Sequence, residues 1–246
     1  MKQTKIIMGM PITVEINDQV NSEDIFTNVF NYFTQIDNRF STYKLDSEIS
    51  QINRGLPRNK WSPEMKHVMD LCHQTQIETG GYFNIESDGK LDPSGIVKGW
   101  AIKKAAETIS SKGYKNFYVE AGGDIQFQGK NSANRPWVVG IRNPLNRYEN
   151  VKILTVGHNQ GVATSGTYIR GDHIYNPLKN NQVITDLASI TVIGPDIYNA
   201  DRLATSAFAM GSDAASFIES LNGYEAYVID KNMVATMTSG LERFVI

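Results

Sequence analysis

Two polar side chains spaced four residues apart are the first candidates for chemistry in this sequence. Asp201 and Thr205 fall in a segment with helical apolar spacing, so both side chains project from one helix face. A carboxylate and a hydroxyl placed in this way suit a hard cation, which takes oxygen ligands and often keeps phosphate oxygens among them. The pair also fits a solvated helix face, and the spacing alone leaves both interpretations open.

The stretch 88–100 is a second candidate, because it reads as a turn, a tight loop and the start of a helix. Pro93 fixes the backbone and lacks an N–H, and Ser94 is the predicted N-cap of the following helix. A helix N-terminus presents free N–H groups and the positive end of its dipole to an anion. Asp92 and Lys98 lie beside it. The stretch predicts an anion site or, alternatively, an ordinary helix start with charged neighbours.

Three further stretches carry polar groups in loops or turns. Thr164 and Ser165 precede a glycine after a predicted strand, where they either bind a phosphate or form a plain turn. His173 lies in a predicted loop, and an imidazole with a pKa near ~6.5 serves as a base or hydrogen-bond donor unless it is only a surface residue. The turn 122–124 either approaches a nucleotide through its glycines or simply joins two strands.

Composition excludes several classes of protein. The chain has 246 residues, 41% of them hydrophobic, and a formal charge of −2, which gives no electrostatic argument for nucleic acid or an anionic membrane. The lone Cys72 excludes an intrachain disulfide framework and a cysteine metal cage. No signal peptide or long apolar span is visible. The chain as supplied is therefore expected in the cytoplasm, or in the periplasm or at a membrane if a leader was removed.

The elements that must position these residues follow from periodicity and capping. Helices are predicted to begin at Ser22 and Ser62, each serine acting as an N-cap, a short helix is predicted to open at Asp46-Ser47-Glu48, and another helix is predicted over 198–210. Alternating apolar residues predict strands at 12–16, through much of 116–193, and at 224–229, 233–237 and 244–246. No linker or repeat interrupts residues 1–246. The sequence therefore predicts one α+β domain with an antiparallel-rich sheet and packed helices.

Seven ordered motifs resemble those of the ApbE-like FAD:protein FMN transferases. The motifs are Met8-Gly9-Met10-Pro11, Phe40-Ser41-Thr42-Tyr43 with Asp46-Ser47-Glu48, the stretch 91–100, Gly122-Gly123-Asp124-Ile125, Ala163-Thr164-Ser165-Gly166, Arg170-Gly171-Asp172-His173-Ile174, and Ala200-Asp201-Arg202-Leu203-Ala204-Thr205. They span nearly the whole chain, and their order is far more specific than any single motif.

The resemblance implies a Mg²⁺-dependent enzyme that transfers the FMN part of FAD to a Thr or Ser hydroxyl of an acceptor protein and releases AMP. It implies metal binding by Asp201, Thr205 and the backbone carbonyl of Gly95. It implies that His173 helps to deprotonate the acceptor hydroxyl. The FAD contacts that it implies are Met8, Tyr43, Asp92, Lys98, Thr164, Ser165 and His173.

Two departures from the family pattern replace a carboxylate with an amide. Asn84 follows Phe83, and Asn176 precedes Pro177, where related sequences commonly have aspartate. Two other functions remain as alternatives: an FAD pyrophosphatase, in which water replaces the acceptor hydroxyl and the products are FMN and AMP, and a non-catalytic FAD carrier, which the two asparagines would suit. Lys98→Ala is expected at this stage to weaken FAD binding more than folding, because a charged residue beside a helix start is rarely in the core.

Overall fold

The computed structural model describes residues 1–19, 24–146, 148–167 and 174–246. Its helices are α1 (Asp24–Phe40), α2 (Glu48–Ile52), α3 (Pro63–Glu78), α4 (Ser94–Ser111), α5 (Ile197–Met210) and α6 (Ala214–Glu219). Its strands are β1 (Lys2–Ile7), β2 (Met10–Ile16), β3 (Glu86–Ser87), β4 (Lys90–Leu91), β5 (Phe117–Ala121), β6 (Asp124–Gln128), β7 (Trp137–Arg142), β8 (Asn150–Val156), β9 (Gln160–Gly166), β10 (Tyr175–Asn176), β11 (Gln182–Val183), β12 (Leu187–Gly194), β13 (Glu225–Asp230) and β14 (Ala235–Met237).

One eight-stranded sheet organises the fold. Its strand order is β1-β2-β5-β6-β9-β12-β13-β14, and every neighbouring pair is antiparallel. The strands come from both ends of the chain, so the N-terminal and C-terminal halves share one sheet. The expected α+β class with an antiparallel-rich sheet is confirmed.

The two faces of this sheet bury different apolar clusters. The larger cluster packs α1, α4 and α5 against one face and includes Phe26, Phe33, Ile102 and Phe208, all of which are buried. The smaller cluster lies under the β7–β8 hairpin and includes Trp137 and Leu154. Successive residues of a strand point to opposite faces of the sheet, so in β5 Val119 packs against the helices and Tyr118 packs under the hairpin.

Serine side chains cap two helix starts: Ser62 as the sequence predicts, and Ser47 in the stretch where a helix start is predicted. The Ser47 side chain accepts a hydrogen bond from the Ser50 N–H, and the Ser62 side chain accepts one from the Met65 N–H, each at 3.1 Å. The predicted cap at Ser22 lies outside the described residues. Within them, no helix combines enough length with enough apolar character to cross a bilayer.

Two local predictions are wrong. Ser94 is not the N-cap of α4 but its first residue, because the Asp92 carboxylate accepts the Ser94 N–H at 3.0 Å and Pro93 precedes the helix. The predicted strand 244–246 is replaced by a 3₁₀ turn at Leu241–Phe244, followed by a single bridge between Val245 and Leu154. The buried Leu241 anchors that turn in the smaller cluster.

Candidate active site

A cavity of about 170 Å³ lies where the start of α4 meets α5 and the strand β9. We call it the central cavity. Its polar lining includes seven residues that the family resemblance selects: Asp92, Gly95, Lys98, Thr164, Ser165, Asp201 and Thr205. The fold therefore brings together residues that are more than one hundred positions apart in the sequence.

An ionic cluster borders the central cavity, which Lys98 and Asp201 line directly. The Lys98 ammonium contacts the carboxylate of Asp124, and its Nζ lies 3.4 Å from Oδ1 of Asp201. The other oxygens are also engaged, since Asp124 Oδ1 accepts the Thr164 N–H at 2.9 Å and Asp201 Oδ2 accepts the Gly99 N–H at 2.8 Å. One ammonium therefore faces two buried carboxylates, and the trio carries one net negative charge when all three groups are ionised.

Ionising the Asp201 carboxyl costs free energy, because the side chain is buried. Burial raises the pKa of the Asp201 carboxyl above its usual range, the Lys98 ammonium opposes that shift, and the nearby Asp124 carboxylate adds to it. The solvated helix face that the sequence left open for Asp201 is therefore wrong, because the residue is buried. A buried carboxyl with a raised pKa in a cavity is a typical feature of a functional site.

The groups beside Asp201 fit a hard cation. Ser165 Oγ lies 3.5 Å from Thr205 Oγ1, and a Cβ added to Gly95 would lie 3.3 Å from Thr205 Cγ2, so Gly95 lies beside the Thr205 side chain. All of the donors are oxygens, as Mg²⁺ requires. Within the described ranges no group of three or more His, Cys, Asp or Glu residues is suited to hold a metal. A Mg²⁺ ion here would therefore take its other ligands from water or phosphate, which is its usual behaviour.

A second cavity of about 500 Å³ adjoins the first. We call it the Tyr43 cavity, and it contains the two remaining described residues selected by the resemblance, Met8 and Tyr43. It shares Asp92, Ser94 and Lys98 with the central cavity. Tyr43 is 96% exposed, so the face of its ring is available to a planar ligand. The two cavities meet at the N-terminus of α4.

The remaining sequence predictions have different outcomes. His173 lies outside the described residues, so its predicted role stays a prediction. Asp124 is predicted only as part of a glycine turn, although it pairs with Lys98; the sequence signal for it is an acidic residue at the start of a strand that alternates apolar and polar residues. Asn84 lines the central cavity, whereas the buried Asn176 uses its side-chain oxygen to accept the Leu178 N–H at 2.9 Å. An aspartate at 176 would make the same turn.

Close packing of α4 on α5 holds Asp201 in place and gives a first prediction. A Cβ at Gly99 would lie 2.7 Å from the Cβ of Asp201 and 2.9 Å from the carbonyl oxygen of Ile197. Alanine gains about 0.5–1 kcal/mol over glycine in a helix, but overpacking costs about 1–3 kcal/mol. We expect Gly99→Ala to lower the free energy of unfolding in urea, whereas the exposed control Ser110→Ala on α4 should leave it nearly unchanged. Equal stability of the two variants would contradict this close contact.

The fold and the site together define an α+β protein whose ionic cluster and helix N-terminus meet at the junction of two cavities. The chain belongs to the ApbE family, whose sequence model matches residues 8–89 and 86–228. The family predicted from the motifs is confirmed.

Relatives and solved structures agree with this assignment. The chain is 32% identical over 165 residues to FAD:protein FMN transferase from Haemophilus influenzae, a match that covers 62% of this chain and 48% of that protein. It is 26% identical to the protein of the same name from Escherichia coli, over 72% of this chain and 53% of that one. The chain thus spans about half the length of the curated relatives it matches.

The solved structures bear on the fold. Flavin transferase ApbE from Vibrio cholerae superposes with a TM-score of 0.86 at 21% identity, covering 99% of this chain and 98% of that one. The ApbE protein from Thermotoga maritima gives a TM-score of 0.85 at 20% identity, over 99% and 98% of the two chains. The architecture is therefore that of the ApbE structures from end to end.

Proposed function

We propose that this chain transfers the FMN part of FAD to a Thr or Ser hydroxyl of an acceptor protein, releases AMP, and requires Mg²⁺. The observation that carries the proposal is the ionic cluster in which Lys98, at the junction of the two cavities, faces the carboxylates of Asp124 and Asp201. FAD has the matching shape, because its pyrophosphate joins a flavin arm to an adenosine arm. The relatives that carry the name FAD:protein FMN transferase support the same reaction.

The charges at the junction suit a pyrophosphate with a divalent cation. With all three groups ionised the cluster carries one negative charge and favours a cation, and a divalent cation bound there would leave one net positive charge for the phosphates. The Asp201 carboxylate, the Thr205 hydroxyl and the Gly95 carbonyl would hold Mg²⁺. When bound, Mg²⁺ would neutralise charge on the phosphate oxygens and thereby lower the barrier to attack at phosphorus. The N-terminus of α4 and the Lys98 ammonium add positive potential at the same place.

The reaction exchanges one phosphorus–oxygen bond for another. The acceptor oxygen forms a bond to the phosphorus of the FMN half, the bond from that phosphorus to the bridging oxygen breaks, and AMP leaves with the bridging oxygen. The hydroxyl proton passes to a base, a role that we propose for His173. Lys98 and the hydroxyls of Thr164 and Ser165 would orient the phosphates, so positioning and charge stabilisation provide the catalysis.

A mass measurement tests the proposal and separates it from its alternatives. The protein is incubated with FAD, Mg²⁺ and a pool of peptides that each carry one Thr or Ser among varied neighbours. Peptides that gain the mass of FMN minus water support the transferase. Free FMN and AMP without labelled peptide would identify a pyrophosphatase, and intact bound FAD would identify a carrier; either result contradicts the proposal.

Lys98 gives a second prediction, which differs from the expectation drawn from sequence. Because its ammonium is the positive partner of two buried carboxylates, Lys98→Met is expected to lower the free energy of unfolding as well as FAD affinity. Breaking a buried ion pair costs about 3–5 kcal/mol, and the lower end applies because one fifth of the Lys98 side chain is exposed. Urea unfolding and a fluorescence titration with FAD measure the two effects.

The matched control is the double variant Lys98→Met with Asp124→Asn. Removal of the Asp124 charge should restore part of the lost stability, because only Asp201 then remains buried without the ammonium, whereas FAD affinity should stay low because the phosphate-facing charge is still absent. Full recovery of FAD affinity in the double variant would show that Lys98 serves the fold alone.

A further inference from the structure

A third cavity lies on the hairpin side of the large sheet. We call it the β7 groove; its volume is about 510 Å³. Its floor is the sheet face that carries Tyr118 and Glu120 of β5 with Ile125 and Phe127 of β6, and its wall is β7. Floor and wall are packed together, since the rings of Tyr118 and Trp137 pack edge to face with centroids 5.2 Å apart. The indole N–H of Trp137 also donates to the Gln128 carbonyl at 3.0 Å, which fixes the wall to β6.

The wall of this groove is an unpaired strand edge. β7 pairs with β8 on one side, and across the described ranges no other strand pairs with it. The far edge of β8 is occupied, because Val245 bridges to Leu154 and the Ile246 N–H donates to the Ile153 carbonyl at 3.2 Å. The hairpin therefore offers its remaining backbone groups along β7, beside the groove. An exposed edge next to a groove is the arrangement that binds an extended peptide by strand addition.

The inner end of the groove reaches the proposed site of phosphoryl transfer. Gly122 and Thr164 line both the groove and the central cavity, and Asp124, which contacts the Lys98 ammonium, also borders the groove. Three cavities therefore converge near Lys98. The proposed function assigns two of them to the two arms of FAD, which leaves the third as a separate approach to the pyrophosphate. A reaction between FAD and a protein hydroxyl needs such an approach for its second substrate.

We propose that the β7 groove binds an extended segment of the acceptor protein as an added strand on β7, and that it delivers the acceptor hydroxyl to the junction beside Lys98. The inference rests on the proposed transferase function and names the surface that its protein substrate uses. Six residues of β7 correspond to an extended segment of about 20 Å. The aromatic floor suits small or apolar side chains at alternate positions of that segment. Docking by backbone pairing would tolerate varied acceptor sequences.

A reversible block of the groove tests this inference. Val138 lines the groove and is 54% exposed, so Val138→Cys should fold normally and react with a bulky methanethiosulfonate reagent. The native Cys72 will not interfere, because it is buried and its burial raises the pKa of the thiol to about 12. Ile153→Cys is the matched control: Ile153 lies opposite Gly140 in the same hairpin, is 42% exposed and does not line the groove.

Each variant is assayed before labelling, after labelling, and after removal of the label with a reductant. The readouts are FMN addition to the peptide pool and the dissociation constant for FAD. The labelled Val138→Cys protein should add FMN at least about tenfold more slowly, which corresponds to about 1.4 kcal/mol of lost docking, with unchanged FAD affinity. Reductant should restore the rate, and the Ile153→Cys protein should not respond at any stage.

The other outcomes are distinct. Equal FMN addition by the two labelled variants would overturn the docking inference and leave the transferase function intact. Loss of FAD affinity on labelling Val138→Cys would overturn it as well, because the groove would then belong to the FAD site. A wild-type protein that binds FAD but labels no peptide would contradict the proposed function and the docking inference together.

Discussion

Asp201→Asn is expected to abolish Mg²⁺-dependent FMN transfer while leaving the protein folded. Asparagine keeps the size of the side chain and an oxygen that can accept the Gly99 N–H, but it removes the buried charge that would hold the cation. Metal stabilisation of phosphoryl charge is worth several kcal/mol, and about 4 kcal/mol corresponds to a factor of about 10³ in rate. The rate of FMN transfer measured against Mg²⁺ concentration checks this expectation.

Stability separates a functional role of Asp201 from a structural one. Burial raises the pKa of this carboxyl, so the folded protein bears a cost for its charge, and the amide should leave the free energy of unfolding unchanged or higher. The exposed control Asp213→Asn should change neither activity nor stability. Wild-type Mg²⁺ dependence in Asp201→Asn would end the metal assignment, and a large loss of stability would point to a structural role instead.

His173→Ala is expected to slow FMN transfer by about 10²–10⁴-fold at saturating FAD, the range typical of a lost general base. FAD affinity should change little if the imidazole acts on the acceptor hydroxyl alone. The defect should shrink as the pH rises, because hydroxide partly substitutes for the missing base. Single-turnover rates from pH 6 to 9, with FAD and peptide in excess, provide the measurement.

Asp92 is the matched comparison for His173. Among the described residues that line the central cavity there is no histidine, and Asp92 is the carboxylate there besides Asp201. Asp92→Asn should keep most of the saturated rate if His173 is the base, since the Asp92 carboxylate already accepts the Ser94 N–H at the start of α4. A severe, pH-sensitive defect in Asp92→Asn, with a normal rate in His173→Ala, would move the role of base to Asp92.

The local elements of this fold could be predicted from sequence because their causes are local. Ser47 and Ser62 cap the helices that follow them, and the apolar spacing of α1 and α5 marks their buried faces. The ordered motifs similarly selected seven of the residues around the central cavity. The predicted N-cap of α4 is wrong by one residue because the Asp92 side chain, not that of Ser94, accepts a backbone N–H at the helix start. Sequence spacing does not show which of these two side-chain oxygens takes that role.

The electrostatic state of the site was decided by the tertiary structure. Whether Asp201 is solvated or buried depends on the contact between α4 and α5, which brings Gly99 against it from 102 positions away. The pairing of Lys98 with Asp124 likewise requires the start of α4 to reach the start of β6, so no sequence pattern indicates that Lys98 stabilises the fold. The β7 groove depends on which strand edges remain unpaired, a property of the whole sheet arrangement. Spacing along a chain determines which side chains share a face, whereas burial, charge pairing and free edges arise from contacts between distant segments.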